Sequence, residues 1–310
     1  MTQQARAVLK RFPVRKSKKQ KQQFRDWLCE ELKKTGYAVS VERNRSLVTS
    51  HNVVVGDLEK ARIIFTAHYD TCAGLPFPNF ITPCNLPAYL IYQVLLAIVL
   101  FLFPMAAVGA VLVWLDVEPV FALLAGYGIL LAGMWWMLDG PANRNNVNDN
   151  TSGVVTLLEI AMSLTPEQRE KTAFVFFDNE EKGLFGSSGF YRKHRKHMQA
   201  ELLVNFDCVS DGDHMLFFPR RQAKKQGVQR LEQAYQSTRD KQVRVIKSFG
   251  FYPSDQKHFP VGVGVAALHR RPLLGYCLGR IHTRRDTVMD ERNIELLRQG
   301  SLRLLDGVRN

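Results

Sequence analysis

The sequence predicts an α/β protein: a three-layer sandwich around a mixed, mostly parallel sheet, interrupted by an inserted transmembrane helical hairpin. Three observations carry this. Short apolar runs with no polar alternation alternate with helix patterns, as expected of strands buried on both faces. A long stretch in the first half carries no charge at all. Acids and histidines recur where the apolar runs stop, the place where ligands gather in such sheets.

The elements follow in chain order. Residues 17–35 form an amphipathic helix pattern, with Phe24, Trp27, Leu28 and Leu32 spaced to share one face. Strands are expected over Tyr37 to Val41, Asn52 to Val55 and Ile63 to Ala67. From Thr71 to Leu115 there are 45 residues without Asp, Glu, Lys or Arg, and a second charge-free run covers residues 120–138. A bilayer span needs roughly 20 apolar residues, so the runs are read as spans over about 86–115 and 120–138, the first with a kink at Pro104. Trp114, Trp135 and Trp136 lie near the run ends, as interfacial aromatics do. The polar loop N-R-N-N-V-N-D-N-T-S-G then leads into a helix with Val155, Leu158 and Met162 on one face. Strands are expected at Thr172 to Phe177, Leu202 to Phe206, Val243 to Ile246 and Val265 to Leu268, with helices within Ala223 to Asp240 and Glu291 to Val308. The α/β domain is thus discontinuous, 1–75 and 143–310, with the hairpin over 85–138 inserted in one of its loops.

Composition limits the setting. Apolar residues make up 46% of the 310-residue chain, enough for a large core without disulfides. Five cysteines with no C-x-x-C pair fit a reducing compartment and argue against a cysteine-built metal site. The net charge is +13, and residues 10–25 hold eight of the 42 basic side chains and no acid. No nucleic-acid motif surrounds that run, so a nucleic-acid partner is not expected; a membrane surface or simple solvation accounts for it. The N-terminus is polar and basic, which predicts no cleavable signal segment. The turn between the spans carries two acids and no Lys or Arg, while the flanking domain is basic. The positive-inside rule therefore places the catalytic domain on the cytoplasmic side of the cell membrane.

The polar residues at the ends of the apolar runs are His68 and Asp70 in A-H-Y-D, Asp149 before the V-V-T-L-L-E-I helix, the pair Glu180-Glu181 after F-V-F-F, Asp207 after L-L-V-N-F, and His282 in G-R-I-H-T-R-R-D-T. Each alone has an ordinary explanation, such as an N-cap for a lone Asp or a helix-dipole contact for adjacent acids. Together they supply imidazoles and carboxylates suited to zinc without thiolates. Two metals need one bridging carboxylate and about two more ligands each. One of the adjacent glutamates then ligates and the other is free to act as a base, the metal's charge offsetting their repulsion.

The ordered series T-A-H-Y-D-T, N-D-N-T-S-G, F-D-N-E-E-K-G-L-F-G-S, N-F-D and H-T-R-R-D-T resembles the aminopeptidase Y family of co-catalytic zinc peptidases. That family includes bacterial zinc aminopeptidases, glutamate carboxypeptidase and transferrin-receptor relatives. The likeness covers residues 60–75 and 143–305. It implies a zinc-peptidase-like fold with two zinc ions per chain. His68 and Asp207 would hold one, Glu181 and His282 the other, and Asp149 would bridge. Asp70 would accept a hydrogen bond from the His68 ring. Glu180 would be the general base, facing solvent. The stretch Ser254-Asp255-Gln256 resembles the family's S-D-H segment, with Gln in the His position, a departure expected to touch substrate contacts. A larger departure is the insertion between His68 and Asp149, which coincides with the apolar hairpin. The resemblance implies a membrane-anchored metallo-exopeptidase, an aminopeptidase on peptide substrates, whose rim lies close to the bilayer. Two other readings carry different consequences: a glutaminyl-cyclase-like enzyme with one zinc, and a catalytically silent membrane receptor or scaffold on a peptidase fold. Two full ligand sets and an intact base position argue against both. The sequence leaves the oligomeric state and the preferred substrate residue open.

Overall fold

The computed structural model describes residues 1–307. The described strands are β1 (Val39–Asn44), β2 (Ser50–Val55), β3 (Ile63–His68), β4 (Thr172–Phe177), β5 (Leu202–Phe206), β6 (His214–Pro219), β7 (Gln242–Val245), β8 (Gly262–Arg271) and β9 (Gly275–Cys277). They form one mixed sheet in the order β1-β2-β4-β3-β5-β8-β6-β7, with β9 on β8. The parallel pairings are those of the centre, β4-β3-β5-β8, and of β6 with the edge strand β7. β1, β2 and β6 pair antiparallel with their inner neighbours.

Both faces of the central strands are buried, which explains their unbroken apolar sequence. In β3, Ile63, Phe65 and Ala67 enter one core while Ile64 enters the other, as the two-residue strand period requires. In β4, Phe174 and Phe176 divide from Ala173, Val175 and Phe177 in the same way. The larger layer holds helices α1 (Gln3–Arg11), α2 (Lys18–Lys34), α6 (Ser152–Ser163) and α11 (Glu291–Asp306). Opposite lies α8 (Phe185–His194), whose Phe190 packs edge-on against Phe177.

Helix α2 carries the expected apolar face and a capping box from Ser17 to Gln20. The helix expected within Ala223 to Asp240 is two short ones, α9 (Arg221–Gln226) and α10 (Val228–Ala234). A Cβ on the intervening Gly227 would sit 2.5 Å from Leu202 Cδ2 and 2.9 Å from the Ala223 carbonyl, so only glycine lets the chain pass this close to β5. Helix α11 ends at Asp306; Val308, the end of the expected span, lies outside the described residues.

The apolar insertion is a helical hairpin. Helices α3 (Leu86–Ala97) and α4 (Phe103–Trp114) are joined by a π-helical turn over Ile98–Leu102, just before Pro104. Proline has no N–H to donate and its ring crowds the preceding turn, so the widened turn falls where a kink was expected. After a short turn, α5 (Pro119–Asp139) returns antiparallel. The stretches Leu86–Trp114 and Pro119–Asp139 are long and apolar enough to cross a membrane. Side chains such as Ile91, Phe103, Leu123 and Leu131 are more than half exposed. The remaining short helix is α7 (Pro166–Glu170).

The basic N-terminal run is not simply solvated. Arg15 is fully buried: Nε donates to the Tyr69 carbonyl at 2.5 Å, Nη1 to the Phe12 carbonyl at 2.5 Å and Nη2 to Thr151 Oγ1 at 3.1 Å. Lys21 is also buried, with Nζ 2.6 Å from both Asp178 Oδ1 and Asn179 Oδ1. These two cations tie the N-terminal arm to the loops after β3 and β4, a role that a run of basic letters does not reveal. Arg15→Met should therefore lower stability by about 3 kcal/mol, because the buried Tyr69 carbonyl and the half-buried Phe12 carbonyl lose a charged donor. A denaturant melt of the variant beside the parent measures this.

Candidate metal centre

The parallel register brings the ligand candidates to one level. His68 ends β3 opposite Phe177, the last residue of β4, and Thr66 lies opposite Asn205, two residues before Asp207. Asp149 arrives from the loop before α6, and His282 from the loop after β9. Their side chains converge. His68 Nε2 is 3.3 Å from Asp149 Oδ1 and 3.7 Å from Asp207 Oδ1. His282 Nε2 is 3.1 Å from Asp149 Oδ2 and 3.3 Å from Glu181 Oε2. Asp149 thus turns one oxygen to each histidine. Three sets offer ligand atoms within 4.8 Å of one another: His68-Asp149-Asp207, His68-Glu180-Glu181 and Cys72-Glu181-His282. The thiol in the last set was not anticipated; Cys72 is buried, and burial pushes its thiol well up.

The donor set fits a metal ion. His68 Nε2 and Glu181 Oε1 are buried with no hydrogen-bond partner, and leaving such atoms unsatisfied is expensive. The His68 ring is held through Nδ1, which lies 3.2 Å from the Asp70 carbonyl oxygen. With the proton on Nδ1, the Nε2 lone pair faces Asp149 and Asp207.

The Asp70 carboxylate faces the same His68 ring nitrogen at longer range. It is 3.6 Å from His68 Nδ1, too far for a good hydrogen bond. Its oxygens instead accept from the backbone N–H groups of Glu180 (3.0 Å) and Glu181 (3.2 Å). Asn179 makes this possible by taking a left-handed conformation (φ 56°), which turns the following amides back toward β3. Cys208 and His282 also have positive φ, at 57° and 63°, so backbone strain gathers in the ligand-bearing loops.

The charges are unbalanced without a cation. Burial tends to raise the Asp149 carboxyl, but the adjoining His282 and His68 rings outweigh it and hold it well below the usual range. Burial pushes the Glu180 carboxyl well up, and the nearby Glu181, Asp207 and Asp255 carboxylates push it further against the pull of His68. Glu181 is raised likewise, by burial and then by Asp149. Glu180 is only partly buried by surface area, between open solvent and the cluster.

The geometry and the sequence profile agree. The profile of peptidase family M28 matches residues 138–302, more than half of the chain. The chain belongs to peptidase family M28. The match begins as the second long helix ends, so it contains Asp149, Glu180, Glu181, Asp207 and His282, while His68 and Asp70 precede it. Among solved structures the M28 chain is similar to the LapA aminopeptidase of Legionella pneumophila, at 15% identity over 99% of this chain and 69% of that one, TM-score 0.58. A Zn-dependent exopeptidase from Parabacteroides distasonis aligns at 16% identity, over 98% and 95%, TM-score 0.59. The glutaminyl cyclase of Porphyromonas gingivalis aligns at 17% identity, over 97% and 94%, TM-score 0.60. These likenesses are of fold. No curated protein matches the chain. Family membership and the buried His68-Asp149-Asp207 cluster support a metallo-exopeptidase.

Several residues around the M28 site escaped the sequence reading. Asp286, in the same H-T-R-R-D-T motif as His282, accepts from the Asn148 amide at 2.6 Å and the Asp149 amide at 3.0 Å. Asn148 Oδ1 in turn accepts from the Ser210 and Asp211 amides, tying the Asp149 loop to the loop after β5. Gln256, expected to touch substrate, is buried; it accepts from Asn205 at 3.2 Å and donates to the Tyr252 carbonyl at 2.8 Å, so it braces the sheet. Its neighbour Asp255 is fully buried, with both carboxyl oxygens unpartnered, and burial pushes it up to about 7. Asp286→Asn leaves one acceptor oxygen where two amides need it. That should weaken zinc binding by about 10–100-fold, as loss of ligand-orienting groups does, measurable by competition with a chromogenic chelator.

Proposed function

We propose that the chain is a membrane-anchored di-zinc aminopeptidase. The observation that carries this reading is the Asp149 carboxylate, whose two oxygens face His68 and His282 separately. That arrangement suits a bridging ligand, with His68 and Asp207 completing one zinc site and Glu181 and His282 the other. When bound, zinc polarises a scissile carbonyl and lowers the pKa of an attacking water. Glu180 takes a proton from that water and passes it to the leaving amine, a task suited to a carboxyl raised by burial and neighbouring acids. Asp70 acts as a positioning residue, its carboxylate fixing the Glu180 and Glu181 amides.

The hairpin is read as an insertion into a discontinuous catalytic domain, 1–75 and 143–310. Its stem supports this: the Gly74 amide donates to the Pro141 carbonyl at 2.8 Å, and the Leu75 amide to the His282 carbonyl at 2.8 Å. Lys182, next to the paired glutamates, forms an ion pair with Asp139, the last residue of α5. With α3 to α5 crossing the bilayer, the rim lies at the membrane surface, and the positive-inside rule puts the domain in the cytoplasm.

The test is a library of short peptides offered to purified full-length protein, with zinc counted per chain. Two zinc ions, release of amino-terminal residues, and loss of both on chelation support the reading. One zinc with cyclisation of amino-terminal glutamine would establish the cyclase reading instead. Detergent-free removal of residues 78–140 that left turnover and substrate range untouched would contradict a membrane-linked rim.

A further inference from the structure

A cavity of ≈ 820 Å³ lies at the foot of the hairpin, beside the metal centre. Its walls include Trp136 from the last turn of α5, Phe77 from the loop before α3, and the residues Arg144, Arg284 and Arg285. Two chain segments bring the arginines together. Asn143 Nδ2 donates to the Thr283 carbonyl at 3.0 Å, and Asn145 Nδ2 to the Arg284 carbonyl at 2.6 Å. Among the described residues none of the three guanidinium groups has an acidic partner. The neighbouring acids are engaged elsewhere: Asp139 with Lys182, and Asp286 with the Asn148 and Asp149 amides.

We propose that this cavity holds the headgroup phosphate of an anionic phospholipid from the leaflet in which the hairpin sits. The inference rests on the reading of the hairpin as membrane-spanning. Three arginines lining one cavity suit a phosphate, which accepts forked, charge-assisted hydrogen bonds from guanidinium groups. Basic pockets at the cytoplasmic foot of membrane helices hold such headgroups. One wall is the span itself, through Trp136, whose indole Nε1 lies 3.3 Å from the Gly74 carbonyl. An occupant held here therefore touches a lipid-facing helix, as a phospholipid does with its acyl chains and a soluble peptide does not. The other side of the stem has the same character. In the turn between β8 and β9, Leu273 is 99% exposed beside Arg271, and Asn85, the residue before α3, donates to the Leu273 and Leu274 carbonyls at 3.2 and 3.3 Å. Basic and apolar groups thus flank both feet of the hairpin. Arg284 and Arg285 directly follow Thr283 and His282, so a bound headgroup braces a segment that carries a ligand candidate.

Full-length protein in detergent is offered phosphatidylglycerol, phosphatidylcholine or glycerol phosphate, and native mass spectrometry counts what stays bound. The parent is expected to retain phosphatidylglycerol at least about tenfold better than the triple variant Arg144→Gln, Arg284→Gln, Arg285→Gln, with phosphatidylcholine retention equal in both. Equal retention of phosphatidylglycerol overturns the proposal. So does competition by glycerol phosphate as strong as that by the lipid, which makes the cavity a site for soluble phosphate. So does a triple variant whose one defect is lost preference for peptides with a free carboxyl terminus over amidated ones, which makes it a substrate pocket. Zinc content equal to the parent's shows that the variant is folded, and if it is not, Arg144→Gln alone must show the same ordering. Release of the parent from native membranes by alkaline carbonate sinks the spanning reading and this proposal with it. Resistance to carbonate with equal lipid retention sinks the proposal alone.

Discussion

Glu180→Gln is expected to retain two zinc ions per chain while losing about 10²–10⁴-fold in turnover, the usual contribution of a positioned general base. The two halves of this result have separate causes. The substitution keeps the shape of the side chain, and in the proposed ligand set Glu180 holds no metal. Its neighbour Glu181 faces His282 and keeps that contact. What disappears is a carboxylate able to accept a proton, in a place where burial and adjoining acids have raised its affinity for one. The amide neither accepts that proton nor returns it to a leaving amine. The Asp70 clamp is made by the backbone amides of residues 180 and 181, so it survives the change. Zinc analysis and turnover on the same preparation check both halves. Loss of zinc in this variant would make Glu180 a ligand and reassign the pair.

Asp149→Ala should have the opposite signature. The side chain facing both histidines is removed, and each proposed site loses a ligand at once. Loss of a group that merely orients a ligand weakens metal binding by about 10–100-fold, so loss of a shared ligand should exceed that. The histidines also lose the carboxylate that favours their charged forms. Turnover should fall to background because the zinc is gone, not because proton transfer has stopped. Zinc titration monitored by calorimetry would show weak, substoichiometric binding. A variant that still held two zinc ions tightly would remove Asp149 from the centre of the site.

The two variants also show what the sequence made legible. Ligand candidates could be found because a parallel sheet delivers its functional side chains at strand ends, and those ends are marked where apolar runs stop. β3, β4 and β5 were visible for the same reason: Phe65, Phe174 and Phe206 stack across one core while their alternate neighbours fill the other. β6 starts from the acidic turn around Asp211 and Asp213 and ends on Pro219, and α8 begins after a left-handed Leu184, so neither left a clear periodic pattern. The supporting groups were illegible for a different reason. Arg15, Lys21, Asn148 and Asp286 act through partners far away in sequence, such as Arg15 with Thr151 and Lys21 with Asp178. Their letters look like a solvated basic run, a turn and an ordinary acid. Asp70 was found as a neighbour of the His68 ring, but its hold on the Glu180 and Glu181 amides was not, because that contact depends on the left-handed Asn179.

Anomalous diffraction at the zinc absorption edge, from crystals of the full-length protein, tests the metal centre most directly. Two peaks about 3.5–4 Å apart, on either side of the Asp149 carboxylate and within bonding reach of His68 and His282, are the predicted result. A single peak, or a pair that leaves Asp149 uncoordinated, would contradict the account.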